Sequence, residues 1–288
     1  MNSPVVVIQR NPTSGVPGKR AELLSLIRTL KKKGFQPRLF SSRERLDRWV
    51  ADPARKESIY CLVSAGGDGT FQDLINRHPH QRVTLFPLGT ENVMARYLKI
   101  PHHGEHVAEM IARGHERTID LGQYGDRIFV LMASVGFDAE IIHRAHAWRR
   151  GHTSRWNYLW PIAKALWDCR SRPLRVTIDG GTPLAAEMAV VVNIPRYALN
   201  LNMASQARDD DGVLEVRLFQ GFSAWRMWWY FLHLCRGTHE ALPDVLTRQG
   251  KDIEISGDRV AVQVDGDPAG HSPVRFSIRP HALKVIVP

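Results

Sequence analysis

The sequence predicts an α/β domain on a parallel sheet, followed by an antiparallel β-sandwich with inserted helices. Three observations carry this reading. In the first 118 residues, short apolar runs alternate with segments whose apolar residues recur at i, i+3 and i+4, as strands alternate with amphipathic helices. Three of those runs lead into glycine-rich or polar loops. Beyond that point, β-rich runs are separated by Asp-Gly and Gly-Gly turn signals, the grammar of antiparallel hairpins.

Val5-Val6-Val7-Ile8 is a fully apolar strand, and Asn11-Pro12-Thr13-Ser14-Gly15 follows as a loop forced by Pro and Gly. A helix is expected from Gly18 to Lys33, with Leu23, Leu24, Ile27 and Leu30 on one face and Gly34 as its stop. Gln36–Phe40 reads as a strand and Arg43–Val50 as a helix. The strand Ile59–Val63 then runs into Ser64-Ala65-Gly66-Gly67-Asp68-Gly69-Thr70, where Phe71, Leu74 and Ile75 begin another helix. Glycines at such a corner permit positive φ and close approach of a ligand, and amides at a helix start can face a phosphate. Asp68 would repel that phosphate unless a cation such as Mg²⁺ lies between them. The same residues would also serve a plain strand-to-helix turn with Asp68 exposed.

Val83–Pro87 is a further strand, followed by Leu88-Gly89-Thr90-Glu91-Asn92 and helices over 93–98 and 106–112. Ligands of parallel sheets bind beyond the carboxyl ends of strands. The loops 11–15, 66–70 and 89–92 all follow strands, so they are expected to converge on one crevice.

From residue 117 the strands 117–124 and 127–135 flank Gly125-Asp126, and 175–178 and 188–193 flank Asp179-Gly180-Gly181-Thr182-Pro183 as a second hairpin. Runs at 213–218, 253–256, 260–264 and 274–278 continue the pattern, with helices near 138–147, 156–170 and 224–235. The domains expected are 1–118, with about 280–288 packing back onto it, and 119–288.

Net charge is +10, which favours anionic partners. The cysteines Cys61, Cys169 and Cys235 show no metal-pair spacing and suit reduced thiols. Neither a secretory signal nor an apolar run of transmembrane length is read, so a cytoplasmic protein is expected. Trp148, Trp156, Trp160 and Trp167 interleave with Arg144, Arg149, Arg150, Arg155, Lys164, Arg170 and Arg172. That stretch suits either contact with an anionic membrane, through Arg149, Arg150, Arg155 and Trp156, or a core with a basic outer face. Stacking on single-stranded nucleic acid would use a similar pattern, but no nucleic-acid module accompanies it. The cluster Trp225, Met227, Trp228, Trp229, Phe231 and Leu232 reads as core, or as a lid over an acyl chain. His143, His146 and His152 read as a solvated helix face.

The chain resembles the catalytic domain shared by diacylglycerol kinases, sphingosine kinases and bacterial lipid kinases. Asn11-Pro12-Thr13-Ser14-Gly15 is similar to that family's first phosphate loop, and Gly66-Gly67-Asp68-Gly69-Thr70 to its signature. Leu88-Gly89-Thr90-Glu91-Asn92, Gly136-Phe137-Asp138-Ala139, Asp210-Asp211-Gly212-Val213-Leu214-Glu215-Val216, Gly237-Thr238-His239 and Asp265-Gly266-Asp267 resemble its later motifs, in the same order. Val93 after Asn92, and Gln72-Asp73 after the signature, depart from the common pattern near the expected ligand site.

The resemblance implies an ATP-dependent kinase with a Rossmann-like nucleotide-binding domain, a β-sandwich domain and a cleft between them. It implies phosphate and nucleoside contacts from Asn11, Ser14, Gly15, Gly66, Gly67, Asp68, Gly69, Thr70, Gly89, Thr90 and Asn92. Asp68 would bind Mg²⁺ or orient the acceptor, and Asp267 would act as the base, although by local sequence it reads as a solvated hairpin residue before Pro268. Asp211, with Asp210, would hold a second metal or link the water network of Asp68, where the spacing alone also fits an acidic loop that caps a strand. The expected partner is a lipid with a free hydroxyl in an anionic membrane surface, visited reversibly; no nucleic acid is expected, and a homodimer is left open. Two other readings compete: an NAD kinase, which shares a Gly-Gly-Asp-Gly loop, and a non-catalytic nucleotide- and lipid-binding protein.

Overall fold

The computed structural model describes residues 3–11, 19–147, 172–196 and 201–288. The chain divides into two compact units, Met1–Ile119 with His281–Pro288, and Asp120–Pro280.

The first unit alternates strand and helix: β1 (Val5–Arg10), α1 (Lys19–Lys32), β2 (Gln36–Phe40), α2 (Arg43–Val50), β3 (Ile59–Gly66), α3 (Asp68–Arg77), β4 (Val83–Pro87), α4 (Val93–Tyr97) and α5 (Gly104–Arg113). The sheet order is β2-β1-β3-β4, and neighbouring strands run parallel. The chain's last strand, Val274–Ile286, adds its far end beside β4, with Val285 opposite Val83. The strands β1, β3 and β4 are almost wholly buried, as parallel strands covered on both faces must be. Gln36-Pro37-Arg38 makes β2 a polar edge. Helix α1 buries Leu23, Leu26 and Leu30, whereas Leu24 is exposed, so its inner face is rotated from the one its spacing predicts. Close packing on α5 sets that face: a Cβ on Gly104 would lie 2.1 Å from the Glu22 carbonyl oxygen.

Strand β5 (Glu116–Tyr124) leads into the second unit. There follow β6 (Arg127–Phe129), β7 (Met132–Val135), α6 (Phe137–Ala147), β8 (Leu174–Ile178), β9 (Leu184–Ala186), β10 (Met188–Val192), β11 (Leu214–Phe219), α7 (Ala224–Arg236), β12 (Val245–Gly250), β13 (Asp252–Ser256), β14 (Ala261–Val264), β15 (Asp267–His271) and β16 (Val274–Ile286). One sheet has the order β12-β11-β10-β7-β14-β15, antiparallel throughout. The other sheet of this unit has the order β16-β13-β8-β9, with the β5–β6 hairpin on β16. Alternate residues of both sheets fill the core between them, among them Ala133, Val135, Val191, Val216 and Val262 against Leu174, Val176, Ile253, Ile255 and Phe276. This is the layout of a sandwich. The outer face of the six-stranded sheet buries Met132, Val190, Val192 and Phe219 against Met227 and Tyr230 of α7.

Several expectations change. The strand expected over 127–135 breaks after Phe129, because the Asp265 carboxylate takes the N–H groups of Val130, Leu131 and Met132. The hairpin after β8 closes onto β9, with Leu174 opposite Ala186. The chain then changes sheets around Glu187, so 188–192 pairs with β7 and β11 instead. The last strand continues past Ile278 to Ile286, through Pro280 and a left-handed His281 (φ 49°). The helix expected over 156–170 lies outside the described residues.

Candidate active site

The parallel register fixes where the loops of the first unit emerge. Arg10 lies opposite Ala65 and Gly66 opposite Pro87, so the segments after β1, β3 and β4 leave the same edge of the sheet. Asn11 follows β1; its amide donates to the Ala65 carbonyl and its Nδ2 to Thr70 Oγ1 at 3.4 Å. The amides of Leu88 and Gly89 both donate to the Gly66 carbonyl, at 2.9 and 3.2 Å. Asn11, Gly66, Gly67, Asp68, Thr70, Gly89 and Asn92 are thereby brought together. Thr90 is exposed beside them, whereas Ser14 and Gly15 lie outside the described residues.

The glycines at this edge serve contact rather than unusual dihedrals. Gly66, Gly67 and Gly69 do not have positive φ, contrary to the expectation for a glycine corner. The strand simply continues to Gly66 and the helix opens at Asp68, capped by Gly67 with φ −97° and ψ −172°. What forbids a side chain is crowding: a Cβ on Gly66 would lie 2.4 Å from Thr70 Oγ1, and one on Gly89 2.5 Å from Gly67 Cα. Positive φ appears instead at Asn92 (48°). Its Oδ1 accepts from the Gly89 amide at 3.0 Å, and its Nδ2 donates to the Gly89 carbonyl at 2.8 Å.

Asp68 heads α3 yet reaches across to α4. Its carboxylate accepts from the amides of Val93 and Met94, both at 3.0 Å, at the end of a helix that favours negative charge. Burial pushes its carboxyl above the usual range, outweighing those bonds, and the Glu91 charge adds to the rise. Each oxygen keeps acceptor capacity beyond one amide bond, which suits contact with a cation or with water. No cluster of three or more His, Cys, Asp and Glu side chains able to hold a metal occurs among the described residues.

Sequence reasoning passed over Lys19. Its ammonium donates to the carbonyls of Leu88 and Gly89 at 2.8 and 3.0 Å, and burial lowers its pKa. The signal was a cation in the first turn of a helix, where the dipole disfavours positive charge. Lys19 braces the 88–92 loop and places positive charge at the edge where the loops meet. A small hollow there is lined by Gln9, Arg10, Asn11, Ser41, Arg43 and Thr70. Asp73 accepts from Gln9 Nε2 at 3.1 Å and from Arg77 Nη2 at 2.8 Å.

In the second unit, Asp265-Gly266-Asp267 forms the turn between β14 and β15. Asp265 is structural: besides taking the amides of 130–132, it adopts a left-handed φ of 49°. The Gly266 amide donates to Gln263 Oε1 at 2.8 Å. Gln263 Nε2 donates in turn to Ser134 Oγ and Asp138 Oδ2, at 3.0 and 3.2 Å. The Gly-Phe-Asp-Ala motif and the terminal Asp-Gly-Asp motif are therefore tied through Gln263. Asp267 starts β15, half-buried and opposite Val264.

Asp210 and Asp211 both contact protein groups. Asp210 is exposed and faces Arg208 Nε at 3.3 Å. Asp211 Oδ1 accepts from the Val213 amide at 3.2 Å, and burial raises its carboxyl, with the Asp120 and Glu215 charges contributing. The loop is held by Asp120, whose Oδ2 accepts from the Gly212 amide at 2.7 Å. His143 is half-buried, and its Nε2 lies 2.7 Å from the Val262 carbonyl oxygen. Arg149, Arg150, Arg155 and Trp156 lie outside the described residues. No helix among the described residues is long and apolar enough to cross a membrane.

A sheet edge of backbone amides, a half-buried carboxylate and a lysine is the equipment of a phosphotransferase. Comparisons give the class its family. Residues 4–124 match the diacylglycerol kinase catalytic domain, and residues 131–287 match the YegS C-terminal NAD kinase beta sandwich-like domain. The chain is 23% identical over 285 residues to a diacylglycerol kinase of Staphylococcus carnosus, covering 96% of this chain and 93% of that protein. It is 24% identical over 285 residues to one of Staphylococcus aureus, covering 96% and 90%. A solved diacylglycerol kinase of Bacillus anthracis str. Sterne superimposes with a TM-score of 0.76 at 18% identity, covering 99% of this chain and 97% of that one. The chain belongs to the diacylglycerol kinase-like family of lipid kinases, and it is a kinase.

Proposed function

We propose that the protein transfers the γ-phosphate of ATP to a hydroxyl of a diacylglycerol-like or sphingoid lipid lying in a membrane surface. The observation that carries the nucleotide half is the meeting of Asn11, Gly66–Thr70 and Gly89–Asn92 at one edge of the parallel sheet, with Lys19 behind them. Amides at the head of α3 would hold the phosphates, and the glycines keep the backbone uncovered there. Asp68 would face the metal that phosphoryl transfer uses. Mg²⁺ would be held by Asp68 together with the phosphates and water, and would neutralise their charge. Asp267 would take the proton of the attacking hydroxyl, its turn fixed by Asp265 and Gln263.

The lipid, rather than the nicotinamide nucleotide, is favoured by the match of residues 4–124, which include Asp68, to the diacylglycerol kinase catalytic domain. The test is incubation with γ-labelled ATP, Mg²⁺ and, in parallel, vesicles containing dioleoylglycerol, vesicles containing sphingosine, and NAD⁺. Label in a lipid product is expected; label in NADP alone overturns the proposal.

A further inference from the structure

Helix α7 reads Ala-Trp-Arg-Met-Trp-Trp-Tyr-Phe-Leu-His-Leu-Cys-Arg and is apolar nearly all round. Such a helix in a water-exposed domain needs cover on both sides. The structure covers one. Met227 and Tyr230 are buried, with Leu234 packed beside them, against the outer face of the six-stranded sheet. Trp225, Trp228, Trp229 and Leu232 follow at i, i+3, i+4 and i+7, about 180° around the helix from that buried line. Trp225 is 70% exposed, Trp228 46%, Trp229 42% and Phe231 40%. The expectation that this cluster is core therefore fails for its four aromatic residues. Among the described residues only Leu24 and Leu39 are other large hydrophobics so exposed.

The helix is held firmly. Ser223 Oγ accepts from the Arg226 amide at 3.1 Å. The Tyr230 hydroxyl donates to Asp244 at 2.5 Å and accepts from the Gly221 amide at 3.2 Å. Arg226 pairs with the same Asp244, and Gly237 ends the helix with φ 68°. The aromatic rings are thus presented by a fixed element. Trp228 stacks near Phe231 at 5.9 Å and Trp229 near His233 at 4.5 Å.

We infer that the outer face of α7 is an interfacial anchor that docks into the headgroup region of an anionic bilayer. Tryptophan suits that depth, with an apolar ring and an N–H for the wet side. Charge agrees: the helix bears no carboxylate and carries Arg236 in its last turn, on a chain of net charge +10. Helices with aromatic apolar faces and basic flanks lie in the interface plane. Choosing a bilayer over a protein partner rests on the lipid-kinase reading above. It gives Trp225–Phe231 a membrane contact of its own, beside the one expected of the Arg149–Trp156 stretch, which lies outside the described residues.

The test is co-sedimentation of the full chain with vesicles of phosphatidylcholine alone or mixed with phosphatidylglycerol, followed by tryptophan emission and without nucleotide. Because no phosphoryl transfer is read, its failure leaves the kinase reading standing, and a failed transfer assay leaves this result standing. The wild type is expected to bind mixed vesicles with a blue-shifted emission, less so as salt rises. The variant Trp225→Ser/Trp228→Ser/Trp229→Ser should bind at least about tenfold more weakly. If the triple variant does not fold, Trp225→Ser, the most exposed position, carries the test with a loss of about threefold. Binding unchanged in the folded variants overturns the inference, as does wild type that binds neither vesicle. A wild-type dimer that the triple variant loses, without vesicle binding, assigns the face to a second copy and overturns it too.

Discussion

Substituting Gly89→Ala probes the contact between the two glycine loops. The added Cβ would lie 2.5 Å from Gly67 Cα and 2.7 Å from Asn92 Oδ1. Carbon atoms rest at about 3.5–4.0 Å, so the loops must part by roughly 1 Å. The obstacle is backbone, which cannot rotate aside. Overpacking of this kind costs about 1–3 kcal/mol, and the two Asn92 bonds to Gly89 would be distorted as well. At ~2–4 °C per kcal/mol for a chain of this size, the melting temperature should fall by ~2–12 °C. A misplacement near 1 Å at a reacting centre can cost ~10²-fold in rate, so kcat/KM for ATP should fall well beyond the stability loss. Gly69→Ala is the control for unfolding alone: nothing lies within 4 Å of its added Cβ, and alanine is favoured over glycine in a helix by up to ~1 kcal/mol. Thermal unfolding of both variants and ATP-dependent transfer by Gly89→Ala decide the matter. Wild-type melting and wild-type kcat/KM in Gly89→Ala would refute the close approach of the loops.

Asp68→Asn should lose more than about tenfold in kcat, a loss of ~1.4 kcal/mol or more, while the variant still folds. Because burial raises the Asp68 carboxyl above 3.8, the native state binds its proton more tightly than the unfolded chain. The ionised carboxylate therefore costs stability above its native pKa, and the cost vanishes as pH falls toward 3.8. Melting of wild type relative to Asp68→Asn should thus rise as pH falls from 8 to ~4; a constant or shrinking difference contradicts this. Asp265→Ala removes an acceptor shared by three amides and should cost ~3 kcal/mol in chemical denaturation. Asp267→Ala should cost under ~1 kcal/mol there yet lower kcat at unchanged KM for ATP; a loss confined to KM removes Asp267 from the base role.

The alternating grammar of residues 5–112 was legible because parallel strands buried on both faces read as unbroken apolar runs. The meeting of the loops followed from their places after strands. What stayed hidden depended on contacts distant in sequence. Asp265 breaks the 127–135 strand from 130 or more residues away, and no local pattern announces it. The change of sheets at Glu187 keeps the apolar run of 188–192 but alters its partner. Helix α7 misled for a different reason: when every face is apolar, periodicity cannot say which side meets the sheet. In the site, Asp68 was legible as the odd residue, but not its two amide donors on α4. Lys19 likewise finds its carbonyls only across a loop closure of 69 and 70 residues.

The central claim, a lipid kinase whose nucleotide edge depends on Asp68, is met most directly by one side-by-side measurement. Wild type and Asp68→Asn are given γ-labelled ATP, Mg²⁺ and mixed vesicles carrying dioleoylglycerol, and the extracted lipids are separated by thin-layer chromatography. The account predicts label in the phosphorylated lipid with wild type and less than about a tenth as much with the variant. Equal label from both, or none in lipid from wild type, would contradict it.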